Sequence, residues 1–353
     1  MSDRLEEILA TAAPEVCPAA VALIAVDGSV MAAAAAGELV RYADADGTLA
    51  AHRPPARRDS IFDLASVSKL FTTVVLLSLA EEGRLDLDAP VTGHLPAADP
   101  RITPRHLLTH TAGLPASRRI DRELPQADPA ERLAAMVATP PAHPVGGPYL
   151  YSDVGMVMAG RLAEVAGGAP LDVLVRERVT GPLGLLDTGY RPGPELLDRI
   201  AATEWKAERP VPGCVRGSVH DETAYALGGV AGHAGLFASA DDLLAFGEAL
   251  RRGGGPVLST ATVAEMTRDH GVEDAPFRHG LGVRIGDPGI VGPLKDAYGH
   301  SGFTGTSLVI DPDRRLTVVL LTNFVHPVRG REGIRTLRHK VAEEAARLAD
   351  LVS

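Results

Sequence analysis

The sequence is poor in lysine, asparagine, cysteine and aromatic residues. Four lysines stand against 31 arginines in 353 residues, and asparagine occurs once, at Asn323. Acidic side chains outnumber basic ones, and the formal net charge is -10. A surface with that balance repels phosphate backbones and anionic lipid headgroups, which argues against a nucleic-acid partner and against a membrane partner. Two cysteines, Cys17 and Cys214, are too few for a disulfide framework or a cysteine-based metal site, and read as reduced, buried thiols. Long hydrophobic runs are absent as well. The stretch from Val16 to Val26 is too short to span a bilayer, and Asp27-Gly28 closes it as a turn would. The N-terminus carries Asp3, Glu6 and Glu7 where a secretory leader carries basic residues, so the expected location is cytoplasmic.

What remains is ordinary globular material, 45% apolar and 23% charged. Leu5, Ile8 and Leu9 place a helical face on residues 3–13. Residues 18–26 and 29–36 are apolar runs joined by Asp27-Gly28, a hairpin signal. A polar loop over 44–59 leads to a strand-like Ile61-Phe62-Asp63-Leu64. The stretch from Val67 to Ala80 is apolar nearly all round and predicts a buried central helix. Helical spacing recurs at 103–110, 129–138, 154–166, 171–178 and 241–252, with irregular segments over 139–148 and 207–222. Strand patterns return at 280–285, 298–310 and 316–322, and an amphipathic helix over 331–352 closes the chain. Strands at both ends and helices between them predict an α+β fold. An antiparallel sheet from residues 1–66 and 275–353 is flanked by the terminal helices, a mostly helical domain over 67–274 is inserted into it, and the active site lies at their interface.

One short pattern carries chemistry. Ser66-Val67-Ser68-Lys69 is an S-x-x-K at the head of the most apolar helix. With 14 serines and four lysines, about 0.16 such matches are expected by chance, and this is the only one. Spacing of three puts both side chains on one helix face. Serine needs an adjacent base to act as a nucleophile, and a desolvated lysine at a helix start is expected to have a lowered pKa and to take the serine proton. Tyr151-Ser152-Asp153 follows a Pro/Gly loop and starts a helix, where the tyrosine can relay a proton and the aspartate can hold the network. Tyr42-Ala43-Asp44 matches the same pattern but lies in a polar hairpin end. His300-Ser301-Gly302 opens a strand-rich stretch. There His300 and Ser301 can meet a substrate carboxylate or leaving group, and the N–H of Phe303 can join that of Ser66 as an oxyanion hole. His233-Ala234-Gly235 fits the same pattern second best. His106 and His110 are four apart, but the helix lacks the glutamate of a zinc motif. His326 reads as surface, and Trp205 suits a cleft or a packing role equally.

The ordered set Ser66/Lys69, Tyr151/Asp153 and His300/Gly302 resembles the serine β-lactamase and D,D-peptidase superfamily, nearest its class C-like branch of β-lactamases, D-aminopeptidases and carboxylesterases. Phe62–Ser66, Ile102–Pro115 and Gly299–Gly302 are similar to that family too, and the likeness runs from about residue 15 to 350. The resemblance implies a β-lactamase/transpeptidase-like fold and a serine hydrolase that opens an ester, amide or lactam through an acyl-enzyme on Ser66. Lys69 and Tyr151 would be catalytic, and Asp153, His300, Ser301, Gly302 and Phe303 substrate-binding. It calls for no metal or organic cofactor, and its partner is a small molecule or short peptide. Asp153 stands where the family has asparagine and His300 where it has lysine, variants that look more like the esterase and peptidase side. With Asn323 the one asparagine, no Glu-x-x-Leu-Asn deacylation motif exists, so Lys69 and Tyr151 would serve both half-reactions. Acyl transfer to an alcohol or amine, and a non-catalytic binding relative, are the alternatives. Oligomeric state is left open.

Overall fold

The computed structural model describes residues 3–352. Twelve strands form among them: β1 (Ala19–Val26), β2 (Ser29–Gly37), β3 (Ile61–Asp63), β4 (Gly189–Tyr190), β5 (Trp205–Lys206), β6 (Gly213–Cys214), β7 (Leu236–Ser239), β8 (Arg278–His279), β9 (Arg284–Ile285), β10 (Tyr298–Ser301), β11 (Ser307–Asp311) and β12 (Leu316–Thr322). The helices are α1 (Asp3–Ala12), α2 (Ser68–Glu81), α3 (Pro104–Leu108), α4 (Ile120–Glu123), α5 (Pro129–Val137), α6 (Asp153–Gly167), α7 (Leu171–Val175), α8 (Gly181–Leu183), α9 (Glu222–Ala226), α10 (Ala240–Arg251), α11 (Thr260–Thr267) and α12 (Ile334–Asp350).

The principal sheet has seven strands in the order β2-β1-β12-β11-β10-β9-β8, all antiparallel. It draws β1 and β2 from the start of the chain and the rest from its end, the α+β arrangement expected. β1 is apolar throughout because both of its faces are covered. Ala20, Ala22 and Ile24 join Leu5, Leu9, Leu337, Val341 and Leu348 in a core under α1 and α12. Val21, Leu23 and Ala25 alternate into a second core shared with α2, α10 and the remaining helices. A small sheet, β3-β7-β4, seats the start of α2 against β7, and β5-β6 form a separate hairpin.

α2 is buried from Ser68 to Leu79, with the Phe71 ring stacked on Phe246 at 4.0 Å. An all-round apolar helix has no solvent face, so its polar head residues must find partners inside the protein. Several boundaries differ from the sequence reading. The 103–110 helix stops at Leu108, and His110 takes φ +56°. The irregular 207–222 region contains β6, and α9 begins at its end. Among the described residues no helix is long and apolar enough to cross a membrane.

Candidate active site

The position of Ser66 is set by the turn before it. Ala65, at φ +46°, is a non-glycine residue in the left-handed region, a strained conformation that must be held from outside. Asp63 does this. Its Oδ1 accepts from the Ala65 N–H at 2.8 Å and its Oδ2 from the His220 N–H at 2.7 Å. Burial pushes the Asp63 carboxyl above its usual range despite those donors. Thr306 Oγ1 donates to the Leu64 carbonyl at 3.0 Å, tying the turn to the loop between β10 and β11. Ser66 emerges half-buried from a short 3-10 turn.

Lys69 lies beneath it, 1% exposed. Its Nζ donates to Ser66 Oγ at 2.7 Å and to the His233 carbonyl at 3.1 Å, and Asp153 Oδ1 is 2.8 Å away. That last contact is electrostatic: the oxygen is at ion-pair distance without the alignment of a hydrogen-bond acceptor. These neighbours correct the sequence expectation. Burial alone would lower the Lys69 pKa, but the Asp153 carboxylate and the Tyr151 phenol outweigh it and raise it above the usual 10.5. That direction favours the ammonium form of Lys69. Lys206 is buried likewise, and is paired with Glu222 and Glu204.

Tyr151 and Asp153 arrive together from the start of α6. The Ser152 hydroxyl caps the helix by accepting from the Gly155 N–H, and the Ser152 N–H donates to His110 Nδ1 at 3.2 Å. The His110 ring lies 4.6 Å from that of Tyr151, while Lys69 Nζ and the Arg284 guanidinium sit 5.0 and 5.1 Å from the Tyr151 ring centre. Burial lowers the His110 pKa well below its ordinary value, so the imidazole is a neutral support for the phenol.

β10 forms the opposite wall. His300 is buried and its ring centre is 6.2 Å from that of Tyr151. Burial, with Arg284 and Lys69 nearby, holds it neutral. Its Nδ1 must carry the proton, because the partner at 2.9 Å is the Ser301 carbonyl, and Nε2 is left as an acceptor. His300 is thus not a cationic carboxylate binder. The cation here is Arg284, which pairs with Asp287 at 3.1 Å and reaches Ser301 Oγ at 3.4 Å. It sits opposite Gly299 in the β9–β10 register. Gly302 packs so closely on the turn before Ser66 that a Cβ would lie 2.4 Å from the Leu64 carbonyl. Phe303 follows it with its ring 55% exposed.

Ser66, Lys69, Tyr151, Asp153 and the His300–Phe303 segment therefore converge where α2, α6 and β10 meet. Arg284 and His110 also face the Tyr151 ring, and Asp221 reaches Lys69 through His233; sequence reasoning missed Arg284 and Asp221 and weighed His110 only as a metal ligand. Only the β9–β10 register could have pointed to Arg284. A cavity of about 680 Å³, lined by Arg132, Arg191, Arg209, Glu222 and Tyr225 among others, lies to one side without including Ser66, Lys69, Tyr151 or His300. His106 closes the α3 capping box through Nδ1, and His110 Nδ1 is engaged by Ser152, so both rings serve local structure. His326 corrects another expectation. It is fully buried, accepting from the Tyr42 N–H at 3.0 Å through Nε2 and holding the Thr203 carbonyl at 2.9 Å through Nδ1. Trp205 is half-buried and pairs with Cys214 in the β5–β6 hairpin. Cys17 is buried and Cys214 half-buried, and both thiols are free.

A serine hydrogen-bonded to a lysine one helical turn away, with a tyrosine ring beside that lysine, is the apparatus of a serine hydrolase. The model of the Beta-lactamase family matches residues 9–343, and the chain belongs to that family. An Escherichia coli (strain K12) protein named, provisionally, as a D-alanyl-D-alanine carboxypeptidase is 32% identical over 346 residues, covering 86% of this chain and 78% of that protein. Among solved structures, "EstCE1, a hydrolase with promiscuous acyltransferase activity" is 25% identical with a TM-score of 0.73, covering 96% of this chain and 98% of that one. A penicillin-binding protein homologue from Caulobacter crescentus superposes with a TM-score of 0.73 at 20% identity, covering 97% of each chain, a likeness of fold alone. The protein is a serine hydrolase of the β-lactamase and penicillin-binding superfamily.

Proposed function

We propose that the protein cleaves a small ester or the last peptide bond of a short peptide through an acyl-enzyme on Ser66. The observation that carries this reading is the 2.7 Å contact from Lys69 Nζ to Ser66 Oγ at the head of a buried helix. Ser66 Oγ attacks the carbonyl, and the Lys69 ammonium stabilises the developing alkoxide by donating to it. With Lys69 protonated, the Tyr151 hydroxyl acts as a relay: its oxygen takes the serine proton as its own proton passes to the leaving group. The N–H groups of Ser66 and Phe303 receive the oxyanion. Phe303 N–H has no protein acceptor among the described residues, as a vacant donor should. Water then enters by the reverse route: the Tyr151 oxygen takes its proton as the phenol's own proton returns to Ser66 Oγ, which leaves the acyl group as the acid. Arg284, the cation nearest Ser301, meets a substrate carboxylate, and His300 Nε2 accepts from the leaving amine or alcohol.

The carboxylate-binding role favours peptides with a free C-terminus, in keeping with the name of the Escherichia coli relative. The name of EstCE1 supports a second outcome, transfer of the acyl group to an alcohol. Turnover of D-alanyl-D-alanine peptides, p-nitrophenyl esters and nitrocefin, beside Ser66→Ala, tests the reading. Hydrolysis lost in Ser66→Ala supports it, and equal rates in both proteins would sink it. Faster product release with added alcohol would assign transfer.

A further inference from the structure

His233 was the second-best match to the third motif, but the structure places it elsewhere. It lies on the 230–235 loop between α9 and β7. The ring is 1% exposed, and its Nε2 is 2.8 Å from Asp221 Oδ1. The same residue's carbonyl is the third partner of the Lys69 ammonium. One residue earlier, the Gly232 carbonyl accepts from Thr72 Oγ1 at 2.9 Å, one turn along α2 from Lys69. Gly232 also abuts α6: a Cβ there would lie 2.0 Å from the Met156 carbonyl. The Gly232–His233 segment is thus wedged between α2, which carries Lys69, and the helix that begins with Asp153.

Asp221 anchors this wedge. It caps α9 by accepting from the Ala224 N–H at 2.7 Å. Burial would raise its carboxyl, yet His233, that N–H and the Lys69 charge hold it well below the carboxylate range. Its neighbour His220 donates its N–H to Asp63, the residue that holds the strained Ala65 turn. Two consecutive residues therefore brace the two halves of the site, one through Asp63 toward Ser66 and the other through His233 toward Lys69.

We propose that Asp221 and His233 are a positioning pair that fixes Lys69 between Ser66 and Asp153. The pair touches no substrate. The Asp221–ring contact sets where the His233 carbonyl stands, and that carbonyl stops the ammonium from swinging fully onto Asp153 and away from Ser66 Oγ. The proposal rests on Ser66 being the nucleophile.

The test measures the rate at which a fluorophosphonate labels Ser66, together with ester kcat and KM, in wild type, His233→Phe, His233→Gln and Asp221→Asn. Melting temperatures are recorded for each. A misplacement of about 1 Å costs about 100-fold in rate. His233→Phe is expected to lose about 10- to 100-fold in both labelling rate and kcat with KM within about threefold. His233→Gln, whose amide N–H can still reach Asp221, restores most of that rate, which a merely space-filling role would not require. If His233→Phe does not fold, Asp221→Asn, which keeps the helix cap, carries the test with a smaller loss. Folded variants labelled as fast as wild type would overturn the pair. A wild type that is never labelled would instead overturn the Ser66 reading.

Discussion

Replacing Gly302 by alanine tests how closely the β10 wall must approach the nucleophile. A Cβ at this position would stand 2.2 Å from Thr306 Oγ1 and 2.4 Å from the Leu64 carbonyl. The Thr306 hydroxyl cannot turn aside without releasing the Leu64 carbonyl, and that carbonyl belongs to the backbone two residues before Ser66, in the turn that Asp63 also holds. Ordinary contact with that carbonyl requires the wall to retreat by about 1 Å, and a displacement of that size costs about 100-fold when it misplaces a reacting group. The N–H of Phe303 is next in the chain and moves with it. Loss of one oxyanion donor lowers kcat by about 10²- to 10³-fold, or about 3–4 kcal/mol in the barrier. Gly302→Ala is therefore expected to lose at least about 100-fold in kcat on a p-nitrophenyl ester, with KM little changed and a melting temperature still showing a folded protein. Stopped-flow or steady-state ester hydrolysis reads this directly. A folded Gly302→Ala enzyme within threefold of wild type would refute both the tight approach and the placement of the oxyanion hole.

Two other outcomes follow from the charges. In Asp153→Asn the carboxylate that keeps Lys69 protonated is gone, so the Lys69 pKa falls and activity is lost on the alkaline side, where wild type holds its rate; a pH profile that instead rises toward alkali in both proteins would restore lysine as the base. Burial pushes His279 and His326 down to about 4. The unfolded chain protonates both near pH 6.5 while the folded chain does not, so stability is full above about 6.5 and is lost as pH falls toward 4, by up to about 1.4 kcal/mol per pH unit for each group. Melts of wild type and His326→Gln between pH 4 and 7 should show the shallower fall in the variant, and equal slopes would contradict the buried, neutral assignment.

The elements that came through from sequence are those with strong local patterns. α2 and β1 were legible because their apolar residues run on without a polar face, and S-x-x-K because lysine is so rare here. Charge states were not legible, since they depend on partners distant in the chain. Burial of Lys69 was inferred correctly, but the pairing with Asp153 reverses the sign of the shift that burial alone would give. His300 fails in the opposite sense: a residue type read as basic becomes a neutral acceptor because it is enclosed beside two cations. Arg284 and Asp221 carry no motif, as each reaches the site through tertiary pairing, one by strand register and the other by capping α9. His326 looked like surface because it follows a strand end, yet the Tyr42 N–H and the Thr203 carbonyl require a two-sided polar group between them.

The central claim is that Ser66 carries the acyl group. Intact-protein mass spectrometry on an acid-quenched reaction with an activated ester, followed by peptide mapping, tests it most directly. The account predicts a single acyl adduct on the peptide containing Ser66, absent in Ser66→Ala. Turnover with no adduct at any quench time and no fluorophosphonate label on Ser66, or an adduct that persists in Ser66→Ala, would contradict it.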